Sequence, residues 1–337
     1  VTSSTSRPRV AFAMSGGLRG RLLDDGLMRR LRLAADVEPG EELREFTSER
    51  ARTALGRAEI LFTGWGCPPL TAEVLALAPR LRAVVHAAGS VKHHITPACW
   101  DRGLAVTSAA SANAVPVAEY TVAMIVLANK RVFQAAATYR SDPGTSPEPL
   151  GPEGNYRRRV GIVGASAIGR LVLRMLRPYA LDLVVSDPYL DEAGARELGG
   201  RLLSLDELVA TSDVVSLHAP SLPETRHMID ARRLATMLPG ATLINTARGD
   251  LVDTDALTGA VLAGRLHAVL DVTSPEPLPS DSPLRGHPHV LLTPHVAGSR
   301  GTELLRMGEL AVGEVERLAA GAPPRHAVRR ETLARTA

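Results

Sequence analysis

Lysine is nearly missing from this chain: among 39 basic side chains only Lys92 and Lys130 are lysines, and the rest are arginines. Cysteine occurs twice, as Cys67 and Cys99, far apart and without a CxxC pair. That excludes a disulfide framework and a cysteine-built zinc site, and it suits a reducing compartment. Neither sign of charge dominates, since the formal net charge is +3. No concentrated basic stripe is present, so nucleic acid is not an expected partner. The short basic segment 325–330 reads as a solvated terminus. No run of about 18 uncharged apolar residues occurs, and the polar opening at 2–8 has no apolar leader, so no membrane partner is expected. A cytoplasmic protein is the reading these absences favour. HisHis at 93–94 and HisProHis at 287–289 lack helical i, i+4 spacing and nearby carboxylates, which argues against a metal site. Internal repeats and low-complexity tracts are also absent.

What is present is the form of a parallel α/β protein. At 337 residues the chain exceeds one ordinary core, which predicts two domains. Strand-like apolar runs at 9–14, 59–64 and 81–87 enclose a helical pattern at 71–78, and a second series has strands at 159–164, 181–186, 213–218, 242–246, 267–272 and 290–294. Residues 115–130 are apolar over most of a helical circumference and predict a buried helix. Residues 141–156, rich in proline and glycine, predict a surface loop. A helical tail is expected from about 301 to 320.

Residues 160–169, ValGlyIleValGlyAlaSerAlaIleGly, follow a strand and open a helix, the setting in which a glycine turn binds a dinucleotide. Gly164 permits the tight turn, and Gly169 lets the helix pack on the strand. Ser166 stands where the middle glycine is usual; its Cβ should push a dinucleotide outward, while its hydroxyl, or a bridging water, can compensate at a phosphate. Ala167 and Ile168 complete the turn. Asp187, 18 positions beyond Gly169 at the end of the next strand, is placed to accept from ribose hydroxyls and to repel a 2′-phosphate, which favours NAD(H) over NADP(H). Pro188 follows it, with no arginine immediately after.

Three later strands end in side chains with complementary chemistry. AsnThrAlaArgGlyAsp carries Arg248, AspValThrSerProGluPro carries Glu276, and ThrProHisValAlaGlySer carries His295. In an open α/β sheet, ligands bind outside the carboxyl ends of the strands, on the side of the Gly164 turn. With LeuHisAlaProSerLeuProGluThrArgHisMetIle at 217–229, these segments resemble the D-isomer-specific 2-hydroxyacid dehydrogenases, and the likeness spans nearly the whole chain. The resemblance implies two Rossmann-like domains, each a parallel sheet with helices on both faces, and a cleft between them. The substrate domain would be discontinuous, 1–110 plus 300–337, and the dinucleotide domain would be 111–299.

It further implies that Arg248, Glu276 and His295 are the catalytic set. A planar guanidinium suits a 2-oxo acid's carboxylate and polarises its carbonyl. An imidazolium gives a proton to the carbonyl oxygen as hydride arrives, and a carboxylate beside it fixes the ring. By the same resemblance His218, Ala219 and Pro220 border the adenosine and pyrophosphate, and Thr225 donates to a phosphate. Thr246 and Ala247 line the nicotinamide, Asp271 accepts from its carboxamide or else serves only a turn, and Gly298 permits close approach beside His295. Backbone amides of Ala88, Gly89 and Ser90 are the expected carboxylate-binding loop, although Ala87 replaces its first glycine. Lys92, His93 and His94 replace the usual acidic and polar residues there, and their charge would favour a doubly anionic substrate unless the loop is merely solvated.

The expected reaction is reversible NAD(H)-dependent reduction of a small 2-oxo acid to the D-2-hydroxy acid by a homodimer. A nucleotide-sensing scaffold and a short-form phosphoglycerate dehydrogenase or phosphonopyruvate-type reductase are the alternatives. Glu276 argues against formate dehydrogenation, whose enzymes carry an amide at that position.

Overall fold

The computed structural model describes residues 7–142, 144 and 153–333. Two compact units divide the chain, one formed by 1–113 with 299–337 and the other by 114–298.

The first unit holds a five-stranded parallel sheet with strands β1 (Arg9–Ala13), β2 (Asp36–Val37), β3 (Ile60–Thr63), β4 (Ala83–His86) and β5 (Ala105–Ser108), ordered β2-β1-β3-β4-β5. Successive strand residues point to opposite faces. Val10 and Phe12 accordingly join one core beneath helix Leu304–Ala319, and Ala11 and Ala13 join another beneath helix Glu49–Arg57. Both faces are covered, as a parallel sheet requires. The segment 325–328 is not a solvated terminus. Its backbone lies antiparallel to β5, with Ser108 N–H donating to His326 and Val328 N–H to Val106, and the buried Glu314 carboxylate accepts from the amides of Arg325 and His326.

The second unit has seven parallel strands: β6 (Arg159–Val163), β7 (Asp182–Ser186), β8 (Arg201–Leu202), β9 (Val214–Leu217), β10 (Thr242–Asn245), β11 (His267–Leu270) and β12 (Val290–Leu292). Their order, β12-β11-β10-β9-β6-β7-β8, reverses direction between β6 and β9, the switch point of a doubly wound fold. The two-residue β2 and β8, and β5, were not expected from the sequence. Helix Ala167–Leu176 buries Gly169, Val172, Leu173 and Leu176, a single stripe of i, i+3, i+4, i+7 spacing against the sheet.

Helix Ala110–Asn129 corrects the expectation of a fully buried element. Ala118, Ile125 and Ala128 enter the core with Val160 and Ile162, but only 39% of its most apolar 18-residue window is buried, and Ala123 lies exposed. By length and composition it is long enough to cross a membrane. Glu119 at its centre and its packing on the sheet make it a core helix with one uncovered side. Of the predicted surface loop, residues 143 and 145–152 lie outside the described residues; helix Val132–Ser141 leads into it.

Candidate active site

The glycine turn leaves β6 at the switch point. Gly164 has φ +96°, and a Cβ there would lie 2.7 Å from the Ala219 nitrogen and 2.8 Å from the His218 carbonyl carbon. The turn is therefore pressed against the backbone that leaves β9, and only glycine fits. A Cβ on Gly169 would meet the Gly164 oxygen, so the helix seats directly on the strand end. Ser166 is the N-cap of that helix, its Oγ accepting from Gly169 N–H at 3.4 Å. An oxygen used as an acceptor retains its own proton, so the hydroxyl can still donate to an anion at the helix start. Ala167 and Ile168 form the first turn.

Asp187 does two jobs here. Its Oδ2 accepts from Ala165 N–H at 2.7 Å, which braces the glycine turn, and its Oδ1 accepts from Tyr189 N–H at 2.8 Å. The carboxylate is half-buried beside exposed Pro188 and keeps lone pairs for ribose hydroxyls. The cradle left by two obligate glycines, the capped helix start and this carboxylate suit a dinucleotide.

His218 is not a surface contact. Its ring is buried and shares a 2.9 Å hydrogen bond with Ser216, and burial pushes its pKa down to about 3, so it is a neutral interior group. Backbone of His218 and the buried Ala219 borders the turn, with the His218 Cβ beside Gly169, and half-buried Pro220 follows. The Thr225 hydroxyl donates to the Pro220 carbonyl at 2.6 Å and accepts from Leu222 N–H, which commits its proton to the loop rather than to a phosphate.

At the end of β10, the Asn245 side chain bonds both Ala247 N–H and the Arg248 carbonyl, which shapes the turn that presents Arg248. The half-buried guanidinium donates to the Ala247 carbonyl at 2.6 Å, and among the described residues no carboxylate lies within ion-pair distance of it. Thr246 beside it is buried against Thr121, the two hydroxyls 3.0 Å apart, and Ala247 is half-buried.

Gly249 brings the next loop in. A Cβ on it would overlap Thr273, and Ser274 donates to Asp250 while Thr254 donates to the Ser274 carbonyl. The loop carrying Glu276 is thus fastened to the one carrying Arg248. Glu276 Oε1 stands 2.6 Å from His295 Nδ1, and both side chains are about half exposed. His295 itself holds φ +52°, a left-handed conformation that a non-glycine residue adopts only where neighbours impose it.

Asp271 is what imposes it. Its buried carboxylate accepts from Thr293 Oγ1–H at 2.6 Å, Val296 N–H at 2.7 Å and Ala297 N–H at 2.9 Å, and its carbonyl accepts from His295 N–H. Asp271 thus holds the turn that presents His295, and its Oδ2, which accepts one bond, keeps a lone pair. Gly298 follows, half-buried. Sequence reasoning missed Tyr120, whose hydroxyl lies 2.8 Å from Thr293 Oγ1, and Thr121. The available signal was a pair of hydroxyl-bearing residues in the middle of an otherwise apolar helix.

In the first unit, Ala88, Gly89 and Ser90 follow β4. Among the described residues nothing accepts from their three amides, while the Ala88 and Gly89 carbonyls are bound by Ala109 N–H and Ser108 Oγ–H. Lys92 and His93 are exposed on the same segment. His94 is not: it is buried with its ring 4.5 Å from that of His86, both within hydrogen-bond reach of Thr63, and burial pushes its pKa down to about 4. It is neutral near pH 7 and adds no charge to the loop, contrary to the sequence-based expectation.

Residues 122–297 match the family model of the D-isomer specific 2-hydroxyacid dehydrogenase NAD-binding domain. The chain is 38% identical over 249 residues to a D-3-phosphoglycerate dehydrogenase of Mycobacterium tuberculosis, covering 74% of this chain and 47% of that protein. It thus spans about half the length of such relatives. It is 32% identical over 269 residues to a glyoxylate reductase of Korarchaeum cryptofilum, covering 79% of this chain and 81% of the other. The solved structure of a phosphoglycerate oxidoreductase from Rhizobium etli superposes with a TM-score of 0.80 at 26% identity, over 97% of this chain and 100% of that one. With a family model across the second unit and a relative matched over most of both lengths, the chain belongs to the D-isomer specific 2-hydroxyacid dehydrogenases, and its second unit carries their NAD-binding domain.

Proposed function

We propose that the protein reduces a small 2-oxo acid to the D-2-hydroxy acid, reversibly. The observation that carries this reading is the His295–Glu276 pair at 2.6 Å, on a loop fastened to the one that carries Arg248, which has no carboxylate within ion-pair distance among the described residues. Bound NADH supplies the hydride, which adds to the carbonyl carbon. Arg248 binds the substrate carboxylate and draws density from the carbonyl oxygen. Glu276, accepting from Nδ1–H, fixes that proton and leaves Nε2 to carry the one that moves. His295 Nε2 gives its proton to the oxygen as the alkoxide forms, and in oxidation it takes that proton back. The turn from Gly164 to Gly169 and the Asp187 carboxylate hold the cofactor's pyrophosphate and adenosine ribose, with backbone from His218 to Pro220 alongside. Ala88, Gly89 and Ser90 amides, which have no acceptor among the described residues, are the first unit's candidates for holding an anionic group. Exposed Lys92 and His93 favour an acid with a second anionic group.

The uncovered side of helix Ala110–Asn129 supports a homodimer through that face. Two buried, unpaired cysteines support a cytoplasmic setting.

The test is oxidation of NADH and, in parallel, NADPH with glyoxylate, hydroxypyruvate and phosphonopyruvate. Turnover with NADH is expected, and His295→Ala should lower it by about 10²–10⁴ while NADH affinity is retained. An unchanged rate in that variant overturns the proton donor. NADH binding without turnover on any 2-oxo acid favours a nucleotide-binding scaffold instead.

A further inference from the structure

Two adjacent hydroxyl-bearing residues on helix Ala110–Asn129 reach two different strand ends. Consecutive helical residues point about 100° apart. Tyr120 accordingly meets Thr293 beyond β12 at 2.8 Å, and Thr121 meets Thr246 beyond β10 at 3.0 Å. Each contact lands two residues before a member of the proposed catalytic set, Thr293 before His295 and Thr246 before Arg248. We propose that Tyr120 and Thr121 are positioning residues, a clamp on one helical turn that fixes the loops presenting His295 and Arg248. The inference rests on the roles given to those two side chains above.

The direction of the Tyr120 bond follows from its neighbours. Asp271 Oδ1 accepts the Thr293 hydroxyl proton at 2.6 Å. Thr293 therefore has none left for Tyr120 and accepts the phenol proton instead. Burial, reinforced by the Asp271 charge, holds the phenol above its ordinary range, which keeps it a donor. The chain Tyr120 to Thr293 to Asp271 ends on the carboxylate that also grips Val296 and Ala297 N–H and whose residue's carbonyl holds His295 N–H. His295 sits at a positive φ that relaxes when this grip loosens. Loss of the phenol donor leaves Thr293 free to rotate, and Asp271 loses its fixed partner.

The experiment compares wild type with Tyr120→Phe, Thr121→Val, Thr293→Val and Thr293→Ser by amide hydrogen exchange and by kinetics with glyoxylate and NADH. In Tyr120→Phe the amides of residues 295–297 should exchange about tenfold faster, the effect of one lost buried hydrogen bond, with the rest of the sheet unchanged. Its kcat should fall about tenfold at nearly constant KM, whereas Thr121→Val should raise KM for the acid about fivefold through Arg248. Thr293→Ser, which keeps the hydroxyl, should restore wild-type exchange, and Thr293→Val should not. Unchanged exchange at 295–297 in Tyr120→Phe overturns the clamp whatever the kinetics show. If wild type turns over no 2-oxo acid, the catalytic reading fails, and the exchange measurement still decides the clamp.

Discussion

Replacing Ser166 separates what its Cβ obstructs from what its oxygen supplies. The cap bond to Gly169 N–H is long at 3.4 Å, so its loss in Ser166→Ala should cost about 0.5–1 kcal/mol, the lower part of the range for N-cap serine. For a unit of this size that lowers the melting temperature by about 1–4 °C. Ser166→Gly should cost only a few tenths of a kcal/mol, about 1 °C or less, because glycine is tolerated at an N-cap. Cofactor binding should separate the two variants further. Alanine keeps the Cβ and removes the hydroxyl donor, so NADH affinity should drop about tenfold, or about 1.4 kcal/mol, the net worth of one hydrogen bond to a charged oxygen. Glycine also removes the donor but lets backbone amides approach the pyrophosphate, and its affinity should stay within about threefold of wild type. Differential scanning fluorimetry and a nicotinamide fluorescence titration read both quantities on the same samples. An alanine variant that melts with wild type and binds NADH equally well would refute both the cap and the phosphate donor.

Gly164→Ala puts a Cβ within 2.8 Å of backbone atoms at a φ of +96°, so unfolding in urea should show a loss of about 2 kcal/mol or more, and wild-type stability would mean that β6 and the His218 backbone are not in contact. The neutral buried rings of His94 and His218, with folded-state values near 4 and 3 against an ordinary 6.5, make the unfolded chain the better proton binder below pH 6.5. Stability from each is complete above that pH and is lost on acidification at about 1.4 kcal/mol per pH unit until the folded value is reached; equal urea midpoints at pH 7 and pH 5.5 would sink this.

The alternating apolar runs, their turn residues and the four strand-end segments were legible because they are written locally. A strand's period, a glycine demanded by a turn and a proline-bounded loop are properties of neighbours in the chain. Gly164, Asp187, Arg248, Glu276 and His295 could therefore be placed beyond strand ends, and Gly169 in the helix that follows the turn, before any coordinates. Burial and partnership were not legible. HisHis at 93–94 reads as one basic pair, yet one ring is exposed and the other is sealed against His86. Thr225 looked like a phosphate donor, yet in this structure its hydroxyl proton goes to the Pro220 carbonyl of its own loop. The basic tail looked free, yet its backbone docks on β5.

The amino-acid order alone thus determined a doubly wound α/β protein with a nucleotide turn and a set of charged side chains at its strand ends. Only the tertiary structure decided that His94 and His218 are neutral, and that Tyr120 and Thr121 reach Thr293 and Thr246 beyond β12 and β10. The reason is distance along the chain. Tyr120 and Thr293 are 173 residues apart, and no local pattern encodes a hydrogen bond that exists only after the sheet and the helix across it have packed.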